Sequence, residues 1–218
     1  EKPGTITTRG RTKDNKTNLS ASFIQAIYDE YGSTTLGRQE LEGELLSEIP
    51  GALFTRKLID AHRVSDAPNF DRVVVAVDPA VTSNEDSDES GIVVAGVHNR
   101  EFYVLADYSF IGSPDAVCRK AAPAYKRHQD DRAIFEANQG GDTWRTILNG
   151  IDAHVATKNV HASRGKYARA EPVAARYEQG RVHHVGLFDE LEDQLCNYVP
   201  GITKQSPDIS MLGECPAS

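Results

Sequence analysis

The run Val73-Val-Val-Ala-Val77 is five consecutive apolar residues, four of them β-branched. In a chain this size such a run reads as a strand buried on both faces, because a half-exposed strand would alternate with polar residues. From Arg72 onward, further short apolar runs alternate with helical patterns, which is how an α/β sheet domain looks in sequence. Gly91 to Val97 and Phe102 to Tyr108 are separated only by His98-Asn-Arg-Glu101, a connection short enough to predict an antiparallel hairpin. Ser113-Pro-Asp115 signals a helix start, and that helix is expected to run to about His128, with Pro123 predicting a kink or an early end. Arg132 to Phe135 reads as a strand, Asp142 to Leu148 as a helix capped by Asp142, and Val155 to Val160 as a strand. Tyr167 to Gln179 reads as a helix, Arg181 to Val185 as a last strand, and Phe188 to Cys196 as a last helix before an irregular tail. The expected order is β-β-β-α-β-α-β-α-β-α, with no internal repeat.

The N-terminal part differs. Glu1 to Ser20 is polar and basic, with Ile6 and Leu19 as its large apolar residues, and cannot build a core alone. Leu19, Phe23, Ile27 and Tyr31 then recur at four-residue spacing, predicting a helix capped by Asn18 and stopped by Gly32. A second, charged helix is expected from Leu36 to Leu46, broken by Pro50-Gly51, and a short one from Thr55 to His62. Residues 1–50 therefore read as an arm and linker, and 51–218 as the main domain.

Composition excludes several classes. The chain's 24 Lys and Arg against 32 Asp and Glu leave a net charge of −8, so it is not a protein coated in basic charge, though a local basic patch can coexist with that total. It has no unbroken apolar stretch near the roughly 18 residues a spanning helix needs, and no basic head followed by an apolar run. A soluble protein without a secretion signal or membrane partner is expected. Three widely spaced cysteines without a CxxC pair fit a reducing compartment. HExxH, GxSxG and the phosphate-loop pattern GxxxxGK[ST] are absent, which argues against zinc-peptidase, acyl-transfer and ATPase chemistry within this sequence. His183 and His184 are neighbours on a strand, so they face opposite ways and cannot grip one metal.

Two acids stand out. Asp78 directly follows the run Val73 to Val77, and Glu136 follows Arg132 to Phe135. Carboxylates at the ends of two neighbouring parallel strands would sit about 5 Å apart, the interstrand spacing, at the sheet's rim. Like charges that close call for neutralisation, and oxygen-preferring divalent cations supply it. Two such ions about 4 Å apart would activate water and stabilise a leaving oxygen in phosphodiester hydrolysis. The plainer reading is that each acid merely ends its strand in solvent. The segment Asn84 to Gly91 imitates the front half of a calcium loop, but Val97 stands where the closing acid belongs and both flanks read as strands. A solvated hairpin loop is the plainer reading there, with Asp88 a lesser candidate for the Asp78 site. Asn138-Gln-Gly-Gly141 opens a helix but lacks the context of a nucleotide site. Ser163-Arg164-Gly-Lys166 with Arg169 is the only dense basic cluster, suited either to a nucleic-acid backbone or to a solvated helix entry.

Taken together, Val73-Val-Val-Ala-Val-Asp-Pro-Ala-Val81, Asp88-Glu-Ser-Gly-Ile92, Ile134-Phe-Glu-Ala-Asn-Gln-Gly-Gly141, Ser163-Arg-Gly-Lys-Tyr-Ala-Arg-Ala-Glu-Pro172 and Tyr177-Glu-Gln-Gly-Arg-Val-His-His184 resemble the large terminase subunit of tailed bacteriophages and gene transfer agents. In that family an N-terminal ATPase pumps DNA into a procapsid and a C-terminal domain of RNase H-like fold cuts the concatemer. The chain resembles that nuclease domain, with Thr8-Arg-Gly-Arg-Thr-Lys-Asp-Asn15 and Leu36-Gly-Arg-Gln-Glu-Leu-Glu-Gly43 similar to the segments joining it to the ATPase. The resemblance implies an RNase H-like mixed β-sheet flanked by helices. It also implies an endodeoxyribonuclease using two Mg²⁺ or Mn²⁺ ions, and double-stranded DNA as substrate. The implied partners are the terminase ATPase domain, small terminase subunit and portal, in the cytoplasm of a bacterial host.

Position by position, Asp78 is similar to the first metal-binding aspartate, Glu136 to the central acid, and Lys166 to the basic residue near the DNA path, with Arg164 and Arg169 beside it. Relatives commonly end in a pattern like Ser-Pro-Asp-Arg-x-Asp-Ala, whereas this chain reads Ser206-Pro-Asp208-Ile-Ser-Met211. Either Asp208 is the third metal ligand, or the set is incomplete. The rival readings are a non-catalytic DNA- or portal-docking module and an RNase H-like resolvase.

Overall fold

The apolar run at Val73 can lie near the middle of a six-stranded sheet because helices cover both faces of that sheet. In a computed structural model, residues 10–31, 41, 49–80, 89–129, 131–136, 141–161 and 165–203 are described. Their contacts divide the chain into two units, Glu1–Ile49 and Pro50–Ser218.

In the first unit, α1 (Ala21–Tyr31) follows a short 3₁₀ turn at Thr12–Asn15. Its start differs from the expected Asn18 cap. Ser20 Oγ accepts the Phe23 amide hydrogen at 3.1 Å, while the Asn18 side chain donates to Asn15 Oδ1 instead. A serine next to the first helical residue reaches the third amide, and a residue two positions earlier does not. The expected helix Leu36 to Leu46 lies, apart from Leu41, outside the described residues.

The second unit opens with α2 (Arg56–Ala61), capped by Thr55 Oγ1, which accepts from the Leu58 amide. The strands are β1 (Arg72–Asp78), β2 (Gly91–His98), β3 (Glu101–Asp107), β4 (Arg132–Glu136), β5 (Thr157–Val160) and β6 (Val182–His184). They lie in the order β5-β4-β1-β2-β3-β6. The first three are antiparallel neighbours, and β4, β5 and β6 join in parallel. The β2–β3 hairpin is as expected. Its turn puts Asn99 at φ 50° and Arg100 at φ 67°, the two left-handed residues of a primed two-residue turn.

Alternate residues of each strand feed two apolar layers. On one face Val74, Ala76, Val104 and Ile134 pack with Val173 and Tyr177 of α5 (Lys166–Glu178) and Leu191 and Leu195 of α6 (Asp189–Asn197). On the other, Val73, Val75, Val77 and Phe135 meet Val117 and Cys118 of α3 (Pro114–His128) and Trp144 and Leu148 of α4 (Gly141–Ile151). β1 is thus buried on both faces, which is why its sequence never alternates. At about 25 cal/mol per Å² of apolar surface, each fully buried valine of that run contributes on the order of 2 kcal/mol of transfer free energy.

Pro123 does not end α3, which continues to His128 as expected. Pro123 and Arg119 are both exposed, so the helix bond that proline removes lies on the solvent side, where water can solvate the carbonyl. α5 ends one residue before the expected Gln179, in a Schellman motif. Gly180, at φ 69°, donates to Tyr177 O, and Arg181 donates to Arg176 O. That stop turns the chain directly into β6.

Candidate metal centre

β1 and β4 run parallel, and Val77 pairs with Phe135. The next residue on each strand is therefore Asp78 and Glu136, neighbours in register at the carboxyl ends of two adjacent strands. Both are the last residues of their strands rather than the first residues beyond them. Val77 and Phe135 belong to the layer under α3 and α4. By the two-residue period of a strand, Asp78 and Glu136 share the opposite face, the one α5 covers. Adjacent strands put their backbones ~4.8 Å apart, a spacing at which two carboxylates share one ion or a pair of ions.

The two acids sit in different surroundings. Glu136 is buried, at 7% exposure, and Arg169 in the first turn of α5 places Nη1 2.6 Å from its Oε2. Asp78 is half-buried. The chain leaving Asp78 is held by Ser90, itself buried, whose Oγ accepts the Ala80 amide hydrogen at 3.0 Å. Asp78 is paired in register with Gly91, so Ser90 ties both sides of the strand exit together. Beside the β2 start, Gln194 of α6 donates to Glu89 Oε2 at 2.7 Å. Burial, with Asp107 and Glu190 adding repulsion, pushes the Glu89 carboxyl above its usual range.

Of the residues singled out in the sequence, the structure brings together Asp78, Glu136 and Arg169. Lys166 is the first residue of α5. Asp88, Arg164 and Asp208 lie outside the described residues. Arg169, expected as a backbone-binding group, directs one guanidinium nitrogen at Glu136. Sequence reasoning missed that contact, as it missed the role of Ser90. The available signal was position: Arg169 falls in the first turn of a helix that begins beside the β4 end, and Ser90 precedes the residue paired with Asp78.

The donors suit a hard divalent cation, being carboxylate oxygens on rigid strand ends. Among the described residues no group of three or more His, Cys, Asp or Glu side chains is gathered as a metal-binding cluster. No described helix is long and apolar enough to cross a membrane.

On the same sheet face, farther from the rim, lies a second polar cluster. Glu192 is fully buried and accepts from Arg63 at 2.6 and 2.9 Å, from Arg56, and from His184 Nδ1 at 2.8 Å. Burial would raise the Glu192 carboxyl, but the hydrogen bonds from His184 and Arg63 overcome it and hold it at about 2. His184 is pushed below its ordinary value, by burial first, with the bond to Glu192 pulling the other way. A carboxylate can only accept, so Nδ1 carries the proton and Nε2 accepts the Tyr177 hydroxyl at 2.7 Å. His183 points to the opposite face, as its place on the strand requires, and its Nδ1 lies 2.9 Å from His62 O.

The mixed six-stranded sheet flanked by helices is the RNase H-like fold of terminase nuclease domains. The chain belongs to the Terminase RNaseH-like domain family, which matches residues 75–209. It is similar in fold to the human cytomegalovirus terminase nuclease domain, with a TM-score of 0.54 and 14% identity over 74% of this chain and 92% of that one. The same viral domain soaked with Mn superposes with a TM-score of 0.52 and 12% identity, covering 75% of this chain and 95% of that one. The large terminase of a thermophilic bacteriophage gives a TM-score of 0.56 and 15% identity over 93% of this chain, which spans 52% of the phage protein. No curated protein sequence matches the chain.

Proposed function

We propose that this chain is the metal-dependent DNA endonuclease domain of a viral or gene-transfer-agent packaging terminase, cutting concatemeric double-stranded DNA by phosphodiester hydrolysis. The observation that most supports this is the placement of Asp78 and Glu136 side by side on one face at neighbouring strand ends, inside the stretch that matches the terminase family. That a related fold has been soaked with Mn agrees with the choice of ion. Asp78, Glu136 and Asp208 would hold two Mg²⁺ or Mn²⁺ ions, which supply activation of water and neutralisation of charge on the phosphodiester.

The chain's own residues do the positioning. Glu136, buried and anchored by Arg169, is fixed in orientation before any ion arrives. Asp78 is half-buried, so its side of the pair has access to solvent and to substrate. Lys166, the first residue of α5, and Arg164, two positions earlier in the sequence, would hold the DNA backbone near the cut. The ATPase domain, small terminase subunit and portal would bring DNA to the site.

Plasmid cleavage in Mn²⁺ tests the reading. Asp78→Ala and Glu136→Gln should each lower the rate by about a thousandfold or more, on the order of 4 kcal/mol of transition-state stabilisation. Glutamine keeps an acceptor for Arg169, so the second variant should remain folded. Wild-type rates in either variant, or nicking that survives chelator, would refute the proposal.

A further inference from the structure

At the opposite end of the same strands a cavity of about 250 Å³ is lined by Arg72, Val74, Asp131, Arg132, Ile134 and Lys158. Arg72 begins β1, Arg132 begins β4, and Lys158 lies on the edge strand β5. Their register puts them on one face, because Val74 pairs with Arg132 and Ile134 with Lys158. Val74 and Ile134 belong to the layer that α5 covers, so this is also the face of Asp78 and Glu136. Among the described residues, none of the three cations forms an ion pair. The one acid in the lining, Asp131, turns Oδ2 to the Val73 amide at 2.8 Å.

Three cations around one cavity against a single acid are unusual in a chain of net charge −8. Like charges gathered this way repel each other unless an anion sits among them. The shape and charge suit phosphate, and the position says whose. Arg132 and Glu136 are four residues apart on β4, ~13 Å at the strand rise. That distance is about four base pairs along a duplex, at ~3.4 Å per step for each strand.

We propose that Arg72, Arg132 and Lys158 form a second phosphate-backbone site. It would take the DNA strand about four nucleotides from the scissile bond and run it along the β5 edge of the sheet. Such contacts carry no base sequence; they fix register and supply salt-dependent affinity. The inference rests on the reading of DNA as substrate, and its test is made without cleavage.

The full chain is titrated with a fluorescein-labelled duplex of about 30 bp in EDTA across a salt series, followed by anisotropy. Lys158→Gln, a change of one exposed side chain on an edge strand, should make the slope of log affinity against log salt shallower by about 0.9. The triple variant Arg72→Gln, Arg132→Gln and Lys158→Gln should make it shallower by about 2.7. Arg127→Gln, an exposed arginine of α3 on the far side of the sheet, should leave the slope within about 0.3 of wild type. Wild-type affinity and slope in the triple variant would overturn the proposal, as would a loss matched by Arg127→Gln. A titration with inorganic phosphate separates the sources. If the triple variant loses phosphate binding yet holds duplex as wild type does, the cavity is a small-anion site and the DNA assignment is wrong. Failure of Mn²⁺-dependent cleavage in the wild type would count against the nuclease reading alone, since the binding difference is read in chelator.

Discussion

Two polar clusters lie on the same face of one sheet and have been built to opposite ends. The Glu192 cluster is sealed: a fully buried carboxylate, two arginines, a histidine and a tyrosine are bonded to one another, tying α2, α5, α6 and β6 together. The rim pair is open on one side. Glu136 is buried and anchored, but Asp78 keeps partial exposure at the end of its strand. Carboxylates of the same chemistry thus tie elements together where they are sealed inside the fold, and on the proposed reading bind metal where one of them still faces solvent. The difference also explains why β1 and β4 need such rigid, doubly buried strands: two acids held close together must be restrained by the packing behind them.

Exchanging the two outcomes is the way to break this comparison. The largest effect should come from the rim on activity: Asp78→Ala should cost about a thousandfold or more in cleavage while the melting temperature stays near wild type. Glu192→Ala should do the reverse. It removes the buried acceptor that Arg63, Arg56 and His184 share, and breaking a buried pair of this kind costs about 3–5 kcal/mol of stability. Cleavage per folded molecule should stay within about twofold. Equal loss of activity in both variants would erase the distinction.

Acid should act on the closed cluster next. Glu192 has a folded value, about 2, below its ordinary 4.5, so its contribution is complete above about pH 4.5 and is lost as pH falls through about 2. His184, a base whose folded value lies below its ordinary 6.5, adds a loss that begins as pH falls below 6.5. Thermal melts should therefore fall from about pH 6.5 downward and more steeply below about 4.5, by on the order of 3 kcal/mol for Glu192. Glu192→Gln should flatten the steeper limb. A wild-type melting curve unchanged between about pH 6.5 and about pH 3 would contradict the reading. The smallest effects come from single hydrogen bonds. Tyr177→Phe should cost about 1 kcal/mol on chemical denaturation, and Ser90→Ala about 1 kcal/mol with a further fall in cleavage, because Ser90 holds the exit from Asp78.

Much of this was legible in the sequence because the physics is local. An unbroken run such as Val73 to Val77 announces burial on both faces, and a four-residue polar gap announces a hairpin. Asp78 and Glu136 stood out because each ends such a run, and the parallel register of β1 with β4 then made them neighbours. Contacts across the fold left no comparable mark. Arg169 and Glu136 are 33 residues apart, and Glu192 and Arg63 are 129 apart; nothing in either segment reveals that they meet. The basic cavity was hidden for the same reason, since Arg72, Arg132 and Lys158 come from three strands and form no charged run. Pro123 brought no early end because the bond it removes lies on the solvent side of the helix, which the sequence does not reveal.

Whether Asp78 and Glu136 share divalent ions is tested most directly by anomalous diffraction from a Mn²⁺-soaked crystal. Mn²⁺ peaks should lie within about 2.3 Å of carboxylate oxygens of both residues, as a pair about 4 Å apart. Anomalous density confined to other parts of the molecule, from crystals of protein that cleaves DNA in Mn²⁺, would contradict the shared site.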